Sequence, residues 1–187
     1  FFDKQFEKYY TEQFFPLVDK IKPSFIICLG DIFDNRKNIN LEILSNCKRY
    51  FFDEIIKRDI ELQIIVGNHD AHFKDTLRVN TPDLVLREYD NIVVIDKPQV
   101  KRFGKANILM MPWICRDNVD ESMKLLNESK AEYCFGHFEI AGFRMHKNVE
   151  SHGGFEPVIF NNFKKVLSGH YHTRSTKGHI TYLGISV

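Results

Sequence analysis

The chain has 187 residues, 43% hydrophobic and 27% charged, the composition of a soluble globular protein with room for one sizeable core. No apolar run approaches the roughly 20 residues of a membrane span, and Phe1-Phe2 is followed at once by Asp3 and Lys4, so no membrane contact and no secretory leader are expected. The net charge of +1 lacks the basic excess of a protein that grips nucleic acid alone; a nucleic-acid partner would be held jointly with another subunit or segment.

Phe2, Phe6, Tyr9, Tyr10, Phe14, Leu17 and Val18 recur at helical spacing, and Lys20 to Pro23 end that helix. Phe25 to Leu29 is a short apolar run closed by Gly30, the pattern of a strand buried on both faces. Asn40 is placed to cap a helix from Leu41 to about Arg58, and Leu62 to Val66 is a second buried strand closed by Gly67. A short helix follows over Asp83 to Tyr89, then strands at Ile92–Ile95 and Ile108–Met111, with Pro98 and Gly104 breaking the stretch between them. Val119 to Ser129 reads as helix, and Glu132–Phe135, Val166–Leu167 and Ile180–Leu183 as strands. Alternating helices and Gly-closed strands are the grammar of an α/β fold, and the absence of repeats or linkers makes 1–187 one domain. Phe1 opens within the helical pattern without an initiator Met and the chain stops just after a strand, so it is read as an internal piece of a longer protein. Cys28, Cys47, Cys115 and Cys134 form no C-x-x-C pair and are expected to be reduced.

Four polar clusters each follow an apolar strand and a glycine: Gly30-Asp31-Ile32-Phe33-Asp34, Gly67-Asn68-His69-Asp70, Gly136-His137 and Gly169-His170-Tyr171-His172. Ligands of α/β sheets bind beyond the carboxyl ends of strands, so clusters distant in sequence can meet there. Their donors are carboxylate, amide oxygen and imidazole without thiolate, a set that suits Mn²⁺, Fe or Zn²⁺ rather than a structural zinc finger. Asp31 has two oxygens with which to bridge two cations, and His170 and His172 share one face of an extended segment.

In this order the clusters resemble the second to fifth motifs of the calcineurin-like metallophosphoesterases, and within them the DNA-repair branch of SbcD-type and phage recombination nucleases. Met111-Pro112-Trp113, Gly136 to Phe143 and Ser151-His152-Gly153 extend the likeness over nearly the whole chain. The resemblance implies a metallophosphatase-type α/β/β/α sandwich with metal ligands at strand C-terminal ends. It implies two divalent ions, Mn²⁺ foremost with Mg²⁺, Fe or Zn²⁺ as other occupants. Asp31 would bridge them, Asn68, His137 and His170 would complete one site, and His172 would serve the other. His69 would be the catalytic histidine, oriented by a hydrogen bond from its ring to Asp70, with Asp34 near the substrate; His72, just past the cluster, is a substrate contact or a plain surface histidine. The family's first motif, Asp-x-His, is absent and is expected upstream of Phe1, as a capping region is expected beyond the C-terminus; the metal site left with Asp31 and His172 should bind more weakly. The resemblance further implies two-metal hydrolysis of DNA phosphodiesters, a homodimer, an ATPase partner of the structural-maintenance type, and a bacterial or phage-infected cytoplasm. A phosphomonoesterase or small-substrate phosphodiesterase on the same scaffold, or a catalytically incomplete scaffold subunit, is the alternative.

Weaker candidates are Arg36 and Lys37, which could meet phosphate or simply face water, and the Arg144–Gly154 loop with His146 and His152, a solvated connection or part of a DNA groove. Trp113 could stack on a base but reads more simply as core, as does the aromatic stripe of the first helix.

Overall fold

A computed structural model describes residues 2–146 and 149–184. Phe1, the middle of the 144–154 loop and the last three residues of the chain lie outside them.

The amino-terminal half is built from βαβ crossovers. Helices α1 (Phe2–Tyr9) and α2 (Phe15–Ile21) run on through a π-helical turn at Tyr10–Phe14, and Lys22 closes α2 in the left-handed conformation. Strand β1 (Phe25–Cys28) leads to α3 (Leu41–Cys47), a second π-helical turn at Lys48–Phe52, and α4 (Asp53–Lys57). The Asn40 side chain accepts from the amides of Glu42 and Ile43, the cap its position called for. The two π-turns face each other, with the Tyr10 ring 4.6 Å from Phe51 and 5.7 Å from Tyr50. Strand β2 (Glu61–Ile65), α5 (Thr81–Val85) and β3 (Ile92–Ile95) complete a parallel three-stranded sheet in the order β1-β2-β3.

The second half forms a six-stranded sheet. Strand β4 (Gln99–Phe103) pairs antiparallel with β5 (Ala106–Met111), and β5 leads through α6 (Val119–Glu128) to the parallel strand β6 (Tyr133–Gly136). A hairpin of β7 (Arg144–His146) and β8 (Val149–Glu150) and a 3₁₀ turn at Pro157–Phe160 precede β9 (Lys165–Ser168), which lies parallel to β6. Strands β10 (Ser175–Lys177) and β11 (Ile180–Tyr182) finish the sheet in the order β10-β11-β9-β6-β5-β4.

Side-chain alternation stacks these layers. Ile27, Leu29, Ile65, Val93 and Ile95 of the first sheet share one apolar cluster with Ile108, Met110, Tyr133, Phe135 and Leu167 of the second. The intervening residues point outward: Ile26, Leu62, Ile64 and Ile92 pack with the helical aromatics Phe15, Phe51 and Phe52, while Leu109, Met111, Cys134 and Val166 pack with Leu126 and Phe160. The result is an α/β/β/α sandwich. One expectation is corrected: β1 is an edge strand among the described residues, with Phe25 exposed and Ile26 to Cys28 half-buried, so of the first two strands β2 alone is buried on both faces. No helix among the described residues is long and apolar enough to cross a membrane.

Candidate metal centre

The carboxyl ends of the parallel strands are tied together by backbone bonds. The Trp113 amide donates to the Val66 carbonyl, joining the end of β5 to the end of β2 and so one sheet to the other. The amides of His137 and Gly169 donate to the carbonyls of Met111 and Gly136. This lattice fixes where the side chains that follow each strand project.

Two glycines make the close approach possible. A Cβ on Gly67 would stand 2.2 Å from Asp31 Oδ1, and one on Gly30 would stand 2.6 Å from His137 Nδ1, both far inside van der Waals contact. Gly30 has φ +96°, and Asp31 itself holds φ 55°, a left-handed conformation that costs a non-glycine residue about 1–2 kcal/mol. His170, with φ 79°, is held in the same region. Such strain concentrates at ligand-binding positions, where the surrounding structure over-determines the backbone.

Asp31, His137 and His170 bring one ligand atom each within 4.8 Å of one another. His137 Nε2 lies 3.1 Å from Asp31 Oδ2 and 3.0 Å from Asn68 Oδ1, and His170 Nδ1 lies 3.0 Å from the same Asn68 oxygen. His137 Nδ1, 2.7 Å from the Leu29 carbonyl, donates its hydrogen there, which leaves Nε2 to face Asp31 and Asn68. Burial and the neighbouring His137 pull the His170 pKa from its ordinary 6.5 to about 4, so that ring is neutral near pH 7. Burial pushes the Asp31 carboxyl up, but the hydrogen bonds it accepts from His137 and His69 outweigh this and hold it below the usual carboxylate range. Asp31 Oδ2, Asn68 Oδ1, His137 Nε2 and His170 Nδ1 therefore converge on one point. This oxygen and imidazole set suits a divalent cation.

His69 is exposed beside this cluster and doubly anchored. Its amide donates to Asp31 Oδ1 at 2.8 Å, and its ring Nδ1 lies 2.7 Å from the Asp34 carbonyl. The expected bond from the His69 ring to Asp70 is not made. The Asp70 carboxylate, fully buried, accepts instead from the amides of Asp31, Gly67 and Phe33 at 2.8, 2.9 and 3.2 Å, stitching the loop after β1 to the loop after β2. Burial raises the Asp70 carboxyl, opposed by the Gly67 amide.

The remaining candidates lie around this centre. The exposed His172 stands edge-on to His146 with ring centroids 6.0 Å apart, and it is outside the group of three, Asp31, His137 and His170, brought together among the described residues. Asp34 and His72 are exposed, and the His72 ring meets Phe73 at 4.6 Å. Trp113 packs with Val66, Ala71, Leu77 and Cys115, and its ring lies 5.2 Å from His170 and 6.0 Å from His137, so it supports the ligand rings from the core side. The Leu29 and Asp34 carbonyls, which set the two imidazole tautomers, escaped the sequence reading because a backbone acceptor has no residue signature.

Residues 5–175 match the family model described as calcineurin-like phosphoesterase. Over 159 residues the chain is 38% identical to Exonuclease subunit 1 of Enterobacteria phage T4, an overlap that covers 83% of this chain and 45% of that protein. The chain thus spans less than half the length of this curated relative. One crystal structure, 14% identical, superposes with a TM-score of 0.53 over 89% of this chain and 81% of its own, a likeness of fold alone.

Proposed function

The chain belongs to the calcineurin-like phosphoesterases, and from that premise we propose that it hydrolyses phosphodiester bonds in DNA, as the exonuclease or endonuclease subunit of a recombination and repair complex. The observation that carries this reading is the convergence of Asp31, Asn68, His137 and His170 beside an exposed His69 that is tied to Asp31. The choice of DNA among phosphate esters is supported by the likeness to a phage protein named Exonuclease subunit 1.

Asp31, Asn68, His137 and His170 hold one divalent cation, Mn²⁺ foremost, and Asp31 with His172 contribute to a second. When bound, the ions offset the charge of the phosphodiester and acidify water for attack at phosphorus. The chain's own residues do the rest. Asp31 fixes the His69 backbone through Oδ1 while Oδ2 faces the ligand cluster. The Asp34 carbonyl accepts from His69 Nδ1–H, which leaves Nε2 as the atom that exchanges protons. Protonated, Nε2 donates to the leaving oxygen as negative charge develops there. Asp70 acts through the backbone, holding the Asp31 and Gly67 amides in place. The Asp34 and His72 side chains face the substrate. DNA, a second copy of the chain and an ATPase subunit of the structural-maintenance type are the proposed partners, in a bacterial or phage-infected cytoplasm.

The test is Mn²⁺-dependent nucleotide release from DNA, compared with hydrolysis of a small phosphate ester. His69→Ala is expected to lower turnover about 100- to 10,000-fold with the bound metal unchanged. Loss of metal in that variant would make His69 a ligand and overturn its assigned role.

A further inference from the structure

The loop that follows the ligand cluster carries an aromatic side chain that the core does not use. Phe73 is 42% exposed. A lone exposed phenylalanine is ordinary; this one stands on a loop pinned at several points. The Thr81 amide donates to the Asp70 carbonyl, the His72 amide to the Val79 carbonyl, and Ala71 bridges Asn80. On the far side the Asp117 amide donates to the Asp75 carbonyl, and Arg116 pairs with the Asp75 carboxylate. That second tether reaches the segment carrying Trp113, which packs beside His170. The Phe73 ring is therefore presented to solvent on a backbone fixed relative to the metal centre.

Phe73 lies four positions after His69, so their Cα atoms are no more than about 14 Å apart, and the turn at 68–70 shortens that. The His72 ring meets Phe73 nearly perpendicularly, at 85°, a contact that leaves at least one face of the Phe73 ring uncovered. Lys74 and Arg78 are exposed on the same loop, and Lys37 is exposed on the loop whose Asp34 carbonyl holds His69. An open aromatic face on a loop that also carries exposed cations suits an unpaired nucleotide, with the base on the ring and the phosphates on the cations.

We propose that Phe73 is a base-stacking platform that holds an unpaired nucleotide next to the cleaved bond, with Lys74 and Arg78 on its backbone, so that the site favours single strands and frayed ends over closed duplex. This inference rests on the reading of the site as a DNA hydrolase. Stacking of this kind is tolerant of sequence, so the preference is for unpaired bases as such.

The test compares the chain's affinity for a dye-labelled oligothymidine and for an abasic deoxyribose-phosphate strand of equal length, in EDTA to prevent cleavage. The chain is expected to bind the base-bearing strand about tenfold more tightly. Phe73→Ala should abolish that ratio and Phe73→Trp should keep it. Lys74→Ala should weaken both strands alike and lower the salt slope by about 0.7. Equal affinity of the parent chain for both strands, or an unchanged ratio in Phe73→Ala, would overturn the platform while leaving the DNA reading standing. No binding of either strand would overturn the DNA reading and the platform with it.

Discussion

Removing the Asp70 carboxylate separates two accounts of that residue. Its Oδ2 accepts from both the Asp31 and the Gly67 amides, while Oδ1 accepts only the longer bond from Phe33. In Asp70→Asn the single amide oxygen can occupy the Oδ2 position and keep two bonds, leaving an NH₂ group against the Phe33 amide. One lost bond and one buried unsatisfied donor cost about 1–3 kcal/mol. The figure falls at the low end because the neutral amide also removes a buried charge, whose burial already raises the Asp70 carboxyl. Asp70→Ala leaves three donors without a protein partner and should cost about 3–6 kcal/mol. Urea unfolding of the metal-free chain measures both. If Asp70 served the His69 ring instead, both variants would unfold like the parent and turnover alone would fall. Equal losses in the two variants would also refute the assignment of two amides to one oxygen.

Gly67→Ala places a Cβ 2.2 Å from Asp31 Oδ1 at a residue with ordinary backbone angles, so the whole cost lies in displacing Asp31. Calorimetric Mn²⁺ titration should show affinity lost, with a destabilisation of about 1–3 kcal/mol. Gly104→Ala, strained at φ +59° but with nothing within 4 Å of the added Cβ, should cost about 1 kcal/mol and leave Mn²⁺ affinity intact. The His170 pKa of about 4 lies below its ordinary 6.5, so as pH falls the unfolded chain takes up this proton before the folded one. The stability contribution is therefore full above pH 6.5 and lost as pH falls toward 4. The melting temperature of the metal-free chain should fall through that window, less steeply in His170→Asn; parallel curves would remove His170 as a cause.

Much of this fold is legible because β1, β2, β6 and β9, four of its parallel strands, are short runs closed by glycine. Ile92–Ile95 is read at its observed bounds, and Asn40 announces α3 because its side chain has amides to satisfy. The strands that escaped, β4, β7, β8 and β10, are short and lie at sheet edges or in the small hairpin, where Gln99, Lys101, Arg144, Ser175 and Lys177 carry no apolar alternation. A strand of that kind is specified by its partner rather than by its own pattern. The Pro98-to-Gly104 stretch, read as a break, is β4 followed by the turn into β5. The π-turns at Tyr10–Phe14 and Lys48–Phe52 keep a helical aromatic stripe and shift only the hydrogen bonding, so periodicity passes over them. At the site, the gathering of Asp31, Asn68, His137 and His170 follows from four strand ends, whereas the partners of His69 and Asp70 depend on backbone groups that composition does not mark.

The proposed cation site rests on four oxygen and nitrogen atoms at the strand ends, from Asp31, Asn68, His137 and His170. Calorimetric titration of the metal-free chain with Mn²⁺ tests it directly. One tight saturable site is expected, abolished in Asn68→Ala and in His137→Ala, because four side-chain atoms converge at one place and the exposed His172 lies outside the group of three. Absence of saturable binding, binding unchanged in both variants, or two equally tight sites would contradict it.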